Sequence, residues 1–425
     1  MHDSGLRSKL LFLLSFLIIL AALAYRRPDA FMDPQFHAEE GKYFFADAYH
    51  EGACSVFNTL NGYYHLLPRL IMVFIEDLAI PYAFLPAVYF ASVLLLYFLI
   101  LGFIRNKLPF SVPGKFFAGT CIFLLPLGHE ILLNMTNIQW FTALVIFLVF
   151  FGKESERKWK SFLESGFLLL ACLTGPFSLL MLPLISIRLF FEWRDQELSR
   201  WRFFNFLILL VSASLTAFSL YAYGSVSRTD DLTVAGEFGA LRYIFYQFSY
   251  PLMIGWIYAS PAALFIPGSI IASGLFFVFF YRCLKHKKSF ASWLCAFSLL
   301  FTVVTLLSYK EDPGALSPQY VAIRNFFLPS VFLCWALISV YHTARTFSFV
   351  SLILCSWFFL QTILFIGPSS FMDMSWKSHV KRINNFKHDT VMIPVNPPGW
   401  FIELDHEKMW KNKGSASKDP EKIIK

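Results

Sequence analysis

The chain has 425 residues, of which 57% are hydrophobic and only 15% charged, with a formal net charge of +8 at pH 7. That balance excludes an ordinary soluble domain, which needs far more polar surface to cover a core of this size. Several apolar stretches approach or reach the ~20 residues that a helix needs to cross a bilayer, so the expected class is an all-α polytopic membrane protein of about eleven transmembrane helices.

The predicted spans, in chain order, cover residues 10–25, 82–104, 116–128, 139–152, 161–174, 177–191, 203–223, 264–284, 289–308, 325–342 and 347–366. The first follows Arg7 and Lys9 and runs into Tyr25-Arg26-Arg27 with no small-x-small cleavage site, so it reads as an uncleaved anchor. The third and fourth are short, and must dip their ends into protein or thin the bilayer. Residues 65–78 and 240–262 read as helices lying on the outer face. The layout is one multi-pass domain over residues 1–366, with its first outer loop at 26–81, and a tail over 367–425.

Charge sets the expected orientation. The N-terminus and the connectors "RNKLPFSVPGK", "KESERKWK", "RLFFEWRDQELSRWR", "RCLKHKK" and "YHTARTF" hold 18 Lys and Arg against 6 Asp and Glu. The alternate set, residues 26–81, 129–138, 224–263 and 309–324, holds 8 against 14. Lys and Arg accumulate on the cytoplasmic side, so the N-terminus is expected there. An odd number of spans then leaves the C-terminal tail outside. The positive balance is a topology signal for a lipid bilayer, and no nucleic-acid patch is expected.

The outer face collects the chemistry. The first loop carries "FHAEEGKYFFADAYHEG", with the adjacent carboxylates Glu39 and Glu40. A helical period from Ala38 to Tyr49 lets Phe44, Phe45, Ala48 and Tyr49 face the membrane while Glu40, Asp47 and Glu51 stay wet. Farther on, "GYYHLLPRL" supplies His65 and Arg69, and "GHEILLNMTNIQW" supplies His129, Glu130, Asn134, Asn137 and Gln139. "LTGPFS" makes a tight turn at Gly175-Pro176, and "SPQYVAIRNFFLP" places Arg324 where a loop enters a span. Converging on one cavity, these groups suit an acid or base acting on a hydroxyl while cations hold a phosphate. The plain alternatives are a capped, solvated helix for the acidic pair and a snorkelling side chain for Arg324.

Other chemistries find little support. His37-x-Glu39-Glu40 lacks zinc-motif spacing; no cofactor is expected, although a divalent cation held by carboxylates and a phosphate-bearing substrate is the alternative. The seven cysteines form no CxxC pair and read as small buried hydrophobes. P-loop, GxGxxG and Gly-x-Ser-x-Gly patterns are absent from the sequence. In the tail, Thr390–Val395 is a β-like run, and Trp376, Trp400 and Trp410 are expected to seat it on the membrane or the outer loops.

Taken together, the strings "FHAEEGKYFFADAYHEG", "GYYHLLPRL", "NMTNIQW", "LTGPFSLLMLPL", "AIRNFFLP" and "IPVNPPGW" resemble a group of bacterial membrane proteins of the GT-C glycosyltransferase type, over most of the chain. The resemblance implies a polyprenyl-phosphate-sugar donor, a surface or lipid-linked glycan acceptor and a site on the outer face of a bacterial inner membrane. It implies a first-loop carboxylate as catalytic base, Glu39 or Glu40, with Glu39 favoured because the group commonly has Glu-Asp where this chain has Glu39-Glu40. It further implies an outer-face cation for the lipid phosphate, with Arg324 the nearest match and Arg69 behind it. The rival readings are a glycan polymerase at the same face and a flippase, which is expected to carry ionisable residues deep in its spans.

Overall fold

The computed structural model describes residues 2–78, 80–125, 131–224, 278–283, 285, 289–308, 321–343, 370–385 and 390–405. His129, Glu130 and Trp410, the helix expected within 240–262, the span 347–366 and most of 264–284 lie outside these residues.

Long helices form over the expected ranges that are covered. They are α1 (His2–Arg26), α5 (Leu85–Lys107), α6 (Val112–Leu124), α7 (Ile138–Phe151), α8 (Lys158–Cys172), α9 (Phe177–Arg194), α10 (Arg200–Tyr223), α11 (Phe290–Ser308) and α12 (Phe327–Thr343). The short helices α2 (Pro28–Met32), α3 (Ala46–Glu51) and α4 (Leu66–Asp77) belong to the first loop, and α13 (Trp376–Asn385) to the tail. Among the described residues, four helical stretches are long and apolar enough to cross a membrane: Lys9–Arg26, Tyr82–Lys107, Arg200–Tyr223 and Arg324–Tyr341. Large apolar side chains stand exposed at helical spacing on the outer helices, such as Leu10, Leu13 and Leu17 on α1 and Leu207, Val211, Leu215 and Phe218 on α10. Such continuous apolar faces belong in lipid. The chain is a helical membrane protein.

Helix α7 sits at the centre. Every one of its side chains is buried, as expected of a helix that is apolar all round. Its 14 residues reach only ~21 Å, short of a ~30 Å hydrocarbon core. The non-helical stretch 131–137 extends it, and all seven residues are buried. Irregular backbone at such depth is tolerated where protein surrounds it.

The two ends of the bundle differ in chemistry. One has short connectors tied by ion pairs: Lys107 Nζ lies 2.6 Å from Glu164, and Arg202 lies 2.6 Å from Glu192 and 2.7 Å from Glu154. Ser111 and Ser199 cap the helices that start there, accepting from the N–H of Gly114 and Arg202, which satisfies donors that a helix start leaves orphaned. The opposite end carries the first loop, residues 131–137, the turn at 173–176 and the tail.

The tail folds onto the first loop. Strands β3 (Thr390–Val395) and β4 (Trp400–Asp405) pair antiparallel, with Ile393 opposite Ile402 and Val391 opposite Leu404. Their inner side chains are buried against a π-helical turn, Glu40–Phe45, and α3. Gly41 permits this approach, since a Cβ there would meet Ile402 Cγ1 at 2.8 Å. The amphipathic assignment of this segment is thereby corrected. Phe44, Phe45, Ala48 and Tyr49 are buried at 3% exposure or less inside the protein, and Glu40, expected to be wet, is 5% exposed. The cause is long-range: Phe44 packs on His65 and Arg69, Phe45 on Phe36, Tyr82 and Trp376, and β4, some 360 residues away in sequence, covers Gly41. Trp376 completes the seat, donating from Nε1 to Tyr82 O at 2.9 Å and packing on Phe36 and Phe45.

Candidate functional site

The site begins with a hairpin. Strands β1 (Thr59–Leu60) and β2 (Tyr63–Tyr64), paired antiparallel, turn through Asn61 and Gly62, both at positive φ; Asn-Gly is the dipeptide this kind of turn demands. The chain leaving β2 is stitched to the 173–175 turn. Gly175 N–H donates to Tyr64 O at 2.9 Å, Leu66 N–H to Leu173 O at 3.1 Å, and Leu67 N–H to Thr174 Oγ1 at 3.1 Å. Gly175 has φ +99°, and a Cβ there would lie 2.5 Å from Gln139 Oε1. Only glycine allows both that backbone and that contact.

Between these segments, the starts of α7 and α9, the end of α11 and the turn Val321–Phe326 lies a cavity of about 170 Å³. Glu39, His65, Asn137, Gln139 and Arg324 all line it. Five of the residues expected from sequence to converge on one cavity therefore line this one, although they are drawn from four separate parts of the chain. The lining also includes Asn61, Tyr63, Thr136, Trp140 and Asn325, which the sequence reading missed. The Asn-Gly turn in "TLNGYY" is the signal that could have added Asn61 and Tyr63.

Several buried polar atoms of this lining meet no partner among the described residues: both ring nitrogens of His65, Thr136 Oγ1, Gln139 Oε1 and Trp140 Nε1. Buried polar groups are normally hydrogen-bonded, so this concentration is unusual for a protein interior. Burial, helped by the charge of Arg69, pulls the His65 imidazole down to about 3. It is therefore neutral at physiological pH, with a hydrogen on one nitrogen and a lone pair on the other.

The two adjacent carboxylates take different places. Ala38 has φ 32°, a left-handed backbone that costs a non-glycine residue energy and is found where the fold over-determines it. Here Ala38 N–H donates to Asn396 O at 2.5 Å, which pins it. Just beyond, Glu39 lines the cavity, whereas Glu40 turns into the protein. Glu40 accepts the N–H of His37 at 3.0 Å and the N–H of Met135 at 2.6 Å, one on each oxygen. Burial nevertheless pushes its carboxyl up to about 7, with the two backbone donors pulling the other way.

Arg69 and Asn134 lie outside this lining. Arg69 is 1% exposed; its Nη1 donates to Asp47 at 2.8 Å and to Ser55 O at 3.2 Å, so its charge is spent on folding the first loop. Asn134 Nδ2 donates to His37 Nδ1 at 2.8 Å, and its Oδ1 accepts the N–H of Asn137 at 3.3 Å. Burial and the charges of Arg27 and Arg324 pull His37 down to about 3, which suits a ring nitrogen that accepts. Asn134 thus orients the segment that presents Asn137.

A second cavity, of about 150 Å³, lies on the Glu40 side and is lined by Arg27, Asp29, His37, Asp373 and Asn396 among others. Arg27 is held there by both oxygens of Asp29 and lies 3.4 Å above the Phe371 ring. Among the described residues no group of three or more His, Cys, Asp or Glu side chains is arranged to hold a metal ion. Compared with protein-family models, curated proteins and solved structures, the chain matches none.

Proposed function

We propose that the chain is a membrane glycosyltransferase of the GT-C type, moving one sugar from a polyprenyl-phosphate donor to a hydroxyl of a surface or lipid-linked glycan. The observation that carries this reading is the shared cavity of Glu39 and Arg324, with His65, Asn137 and Gln139 beside them. A carboxylate and a guanidinium facing one small polar space are what an inverting transfer from a phosphate requires. In the proposed reaction Glu39 takes the proton of the acceptor hydroxyl as its oxygen bonds to the anomeric carbon. The bond from that carbon to the phosphate oxygen breaks, and the electron pair leaves on the phosphate beside Arg324. Glu40 touches no substrate; as a positioning residue it locks the turn that presents Glu39.

The same reading gives the setting. About eleven spans, a cytoplasmic N-terminus and an outer tail in a bacterial inner membrane put the cavity on the outer face, where a lipid-linked donor can present its head group. The excess of Lys and Arg over Asp and Glu in the N-terminus and connectors expected inside, 18 against 6, supports this orientation. The test is glycan composition: a strain lacking the protein should lose one monosaccharide from each repeat of its surface glycan. Shortened chains of unchanged composition would point to polymerisation instead, and an unchanged glycan would remove the reading.

A further inference from the structure

At the ion-paired end of the bundle, α1, α5 and α6 leave a groove lined by Leu11, Phe12, Leu101 and Phe116 together with Arg105 and Lys115. Arg105 stands in the last turn of α5 and Lys115 in the first turn of α6, so the short connector between them returns both cations to one place. The Arg105 guanidinium lies 5.2 Å from the centre of the Phe12 ring on α1. Lys153 N–H donates to Lys107 O at 2.9 Å, and Lys115 is repelled by the charges of both Lys153 and Arg105. Other cations of this end have acidic partners, Lys107 in Glu164 and Arg202 in Glu192 and Glu154. Among the described residues the groove is lined by no carboxylate. Its wall faces lipid: Leu10 and Leu14 on α1 and Phe117 on α6, next in sequence to lining residues, are exposed. The groove is shallow, about 30 Å³ against the ~300 Å³ at which drug-sized pockets begin, so it suits a chain lying along it.

We infer that this groove is a site for one anionic phospholipid, its headgroup phosphate held by Arg105 and Lys115 and an acyl chain lying against Leu11, Phe12, Leu101 and Phe116. A phosphate answers the two cations, and a hydrocarbon chain answers the apolar wall. An anionic phospholipid carries both on one molecule, and basic pockets between membrane helices take such headgroups. A soluble phosphate would leave the apolar wall uncovered, and a zwitterionic lipid would bring its own cation to the two already there. The site is separate from the Glu39 cavity and does not depend on the sugar-transfer reading.

The experiment is native mass spectrometry of the full chain in detergent, titrated with dioleoyl phosphatidylglycerol or with dioleoyl phosphatidylcholine, which has the same chains. The first phosphatidylglycerol should bind at least ~10-fold more tightly than phosphatidylcholine, as two cations beside an anionic headgroup require. The double variant Arg105→Gln/Lys115→Gln should bind the two lipids alike. The single variant Lys115→Gln should lose part of the preference, and it keeps the test available where the double variant does not fold. Lys158→Gln/Lys160→Gln removes the same charge from the start of α8, away from the groove, and should leave the preference intact. Soluble glycerol 3-phosphate should not displace the bound lipid. Equal binding of the two lipids by the parent, or a preference that survives Arg105→Gln/Lys115→Gln, would overturn the inference. So would an equal loss in Lys158→Gln/Lys160→Gln, which would make the preference one of surface charge in general. Displacement by glycerol 3-phosphate would overturn it too, leaving a site for a free phosphate.

Discussion

Glu40 and Met135 are joined by a hydrogen bond of 2.6 Å, from the backbone N–H of Met135 to Glu40 Oε1. It ties the first loop to the stretch that leads into the central helix, and Glu40's second oxygen holds His37 N–H. Glu40→Gln puts an amide NH₂ against one of those N–H groups. It should lower stability by about 1–3 kcal/mol, whereas Glu39→Gln should leave it nearly unchanged. Thermal denaturation in detergent distinguishes the two. The pH dependence has a definite sign. The folded-state value, about 7, lies above the ordinary 4.5, so between these pH values the folded state binds more protons. Glu40's contribution is fully present below 4.5 and is lost as pH rises toward 7, at no more than about 1.4 kcal/mol per pH unit. The stability gap between parent and Glu40→Gln should therefore narrow between pH 5 and pH 8.

Gly175 is a second point of control. Gly175→Ala adds a Cβ 2.5 Å from Gln139 Oε1 on a backbone at φ +99°. It should cost about 1–3 kcal/mol in strain and displace Gln139, lowering transfer at least ~10-fold in the molecules that still fold. Parental activity would show that Gln139 has no part in the site.

The two arginines should separate cleanly. Arg69→Met strips the partner from Asp47 in a largely buried pair and should cost about 3 kcal/mol, while activity per folded molecule stays near parental. Arg324→Ala should do the reverse, lowering transfer by about 10²–10³-fold. Arg324→Lys should restore only part of it, because the planar fork is gone. Full activity in Arg324→Ala would return that side chain to a snorkelling role.

Orientation is open to a natural probe. Cys54, in the first loop, is exposed, unlike the other described cysteines. A membrane-impermeant maleimide should label it on intact spheroplasts, and Cys54→Ser should abolish that labelling. A cysteine placed at Lys153, at the opposite end, should react only after the membrane is opened. The converse pattern would turn the molecule over and detach Glu39 from the outer face.

Much of this arrangement is legible in the sequence, because the membrane restricts the alphabet. The helices of the described ranges follow from apolar length, and the clustering of His65, Asn137, Gln139 and Arg324 follows from polar residues that lipid would not tolerate. Strand β3 was also visible, with the limits Thr390–Val395 found in the structure. What escaped was long-range pairing. The alternation Ile402, Glu403, Leu404 after Pro397-Pro398-Gly399 is a strand signal, but nothing local says that it covers Gly41, or that His65 packs on Phe44 and Trp376 on Phe45. The different fates of Glu39 and Glu40 were hidden for the same reason, since they depend on Asn396 pinning Ala38 and on the N–H of Met135.

The central claim is that Glu39 is the base. The most direct measurement compares surface-glycan modification in cells carrying the parent, Glu39→Gln or Glu40→Gln, each at equal folded membrane abundance. General-base catalysis typically contributes 10²–10⁴-fold, so Glu39→Gln should fall by about that factor while melting as the parent does. Glu40→Gln should lose activity only as far as it loses fold. Glycan modification at the parental rate in Glu39→Gln would contradict the account and leave the acidic pair as a structural feature of the first loop.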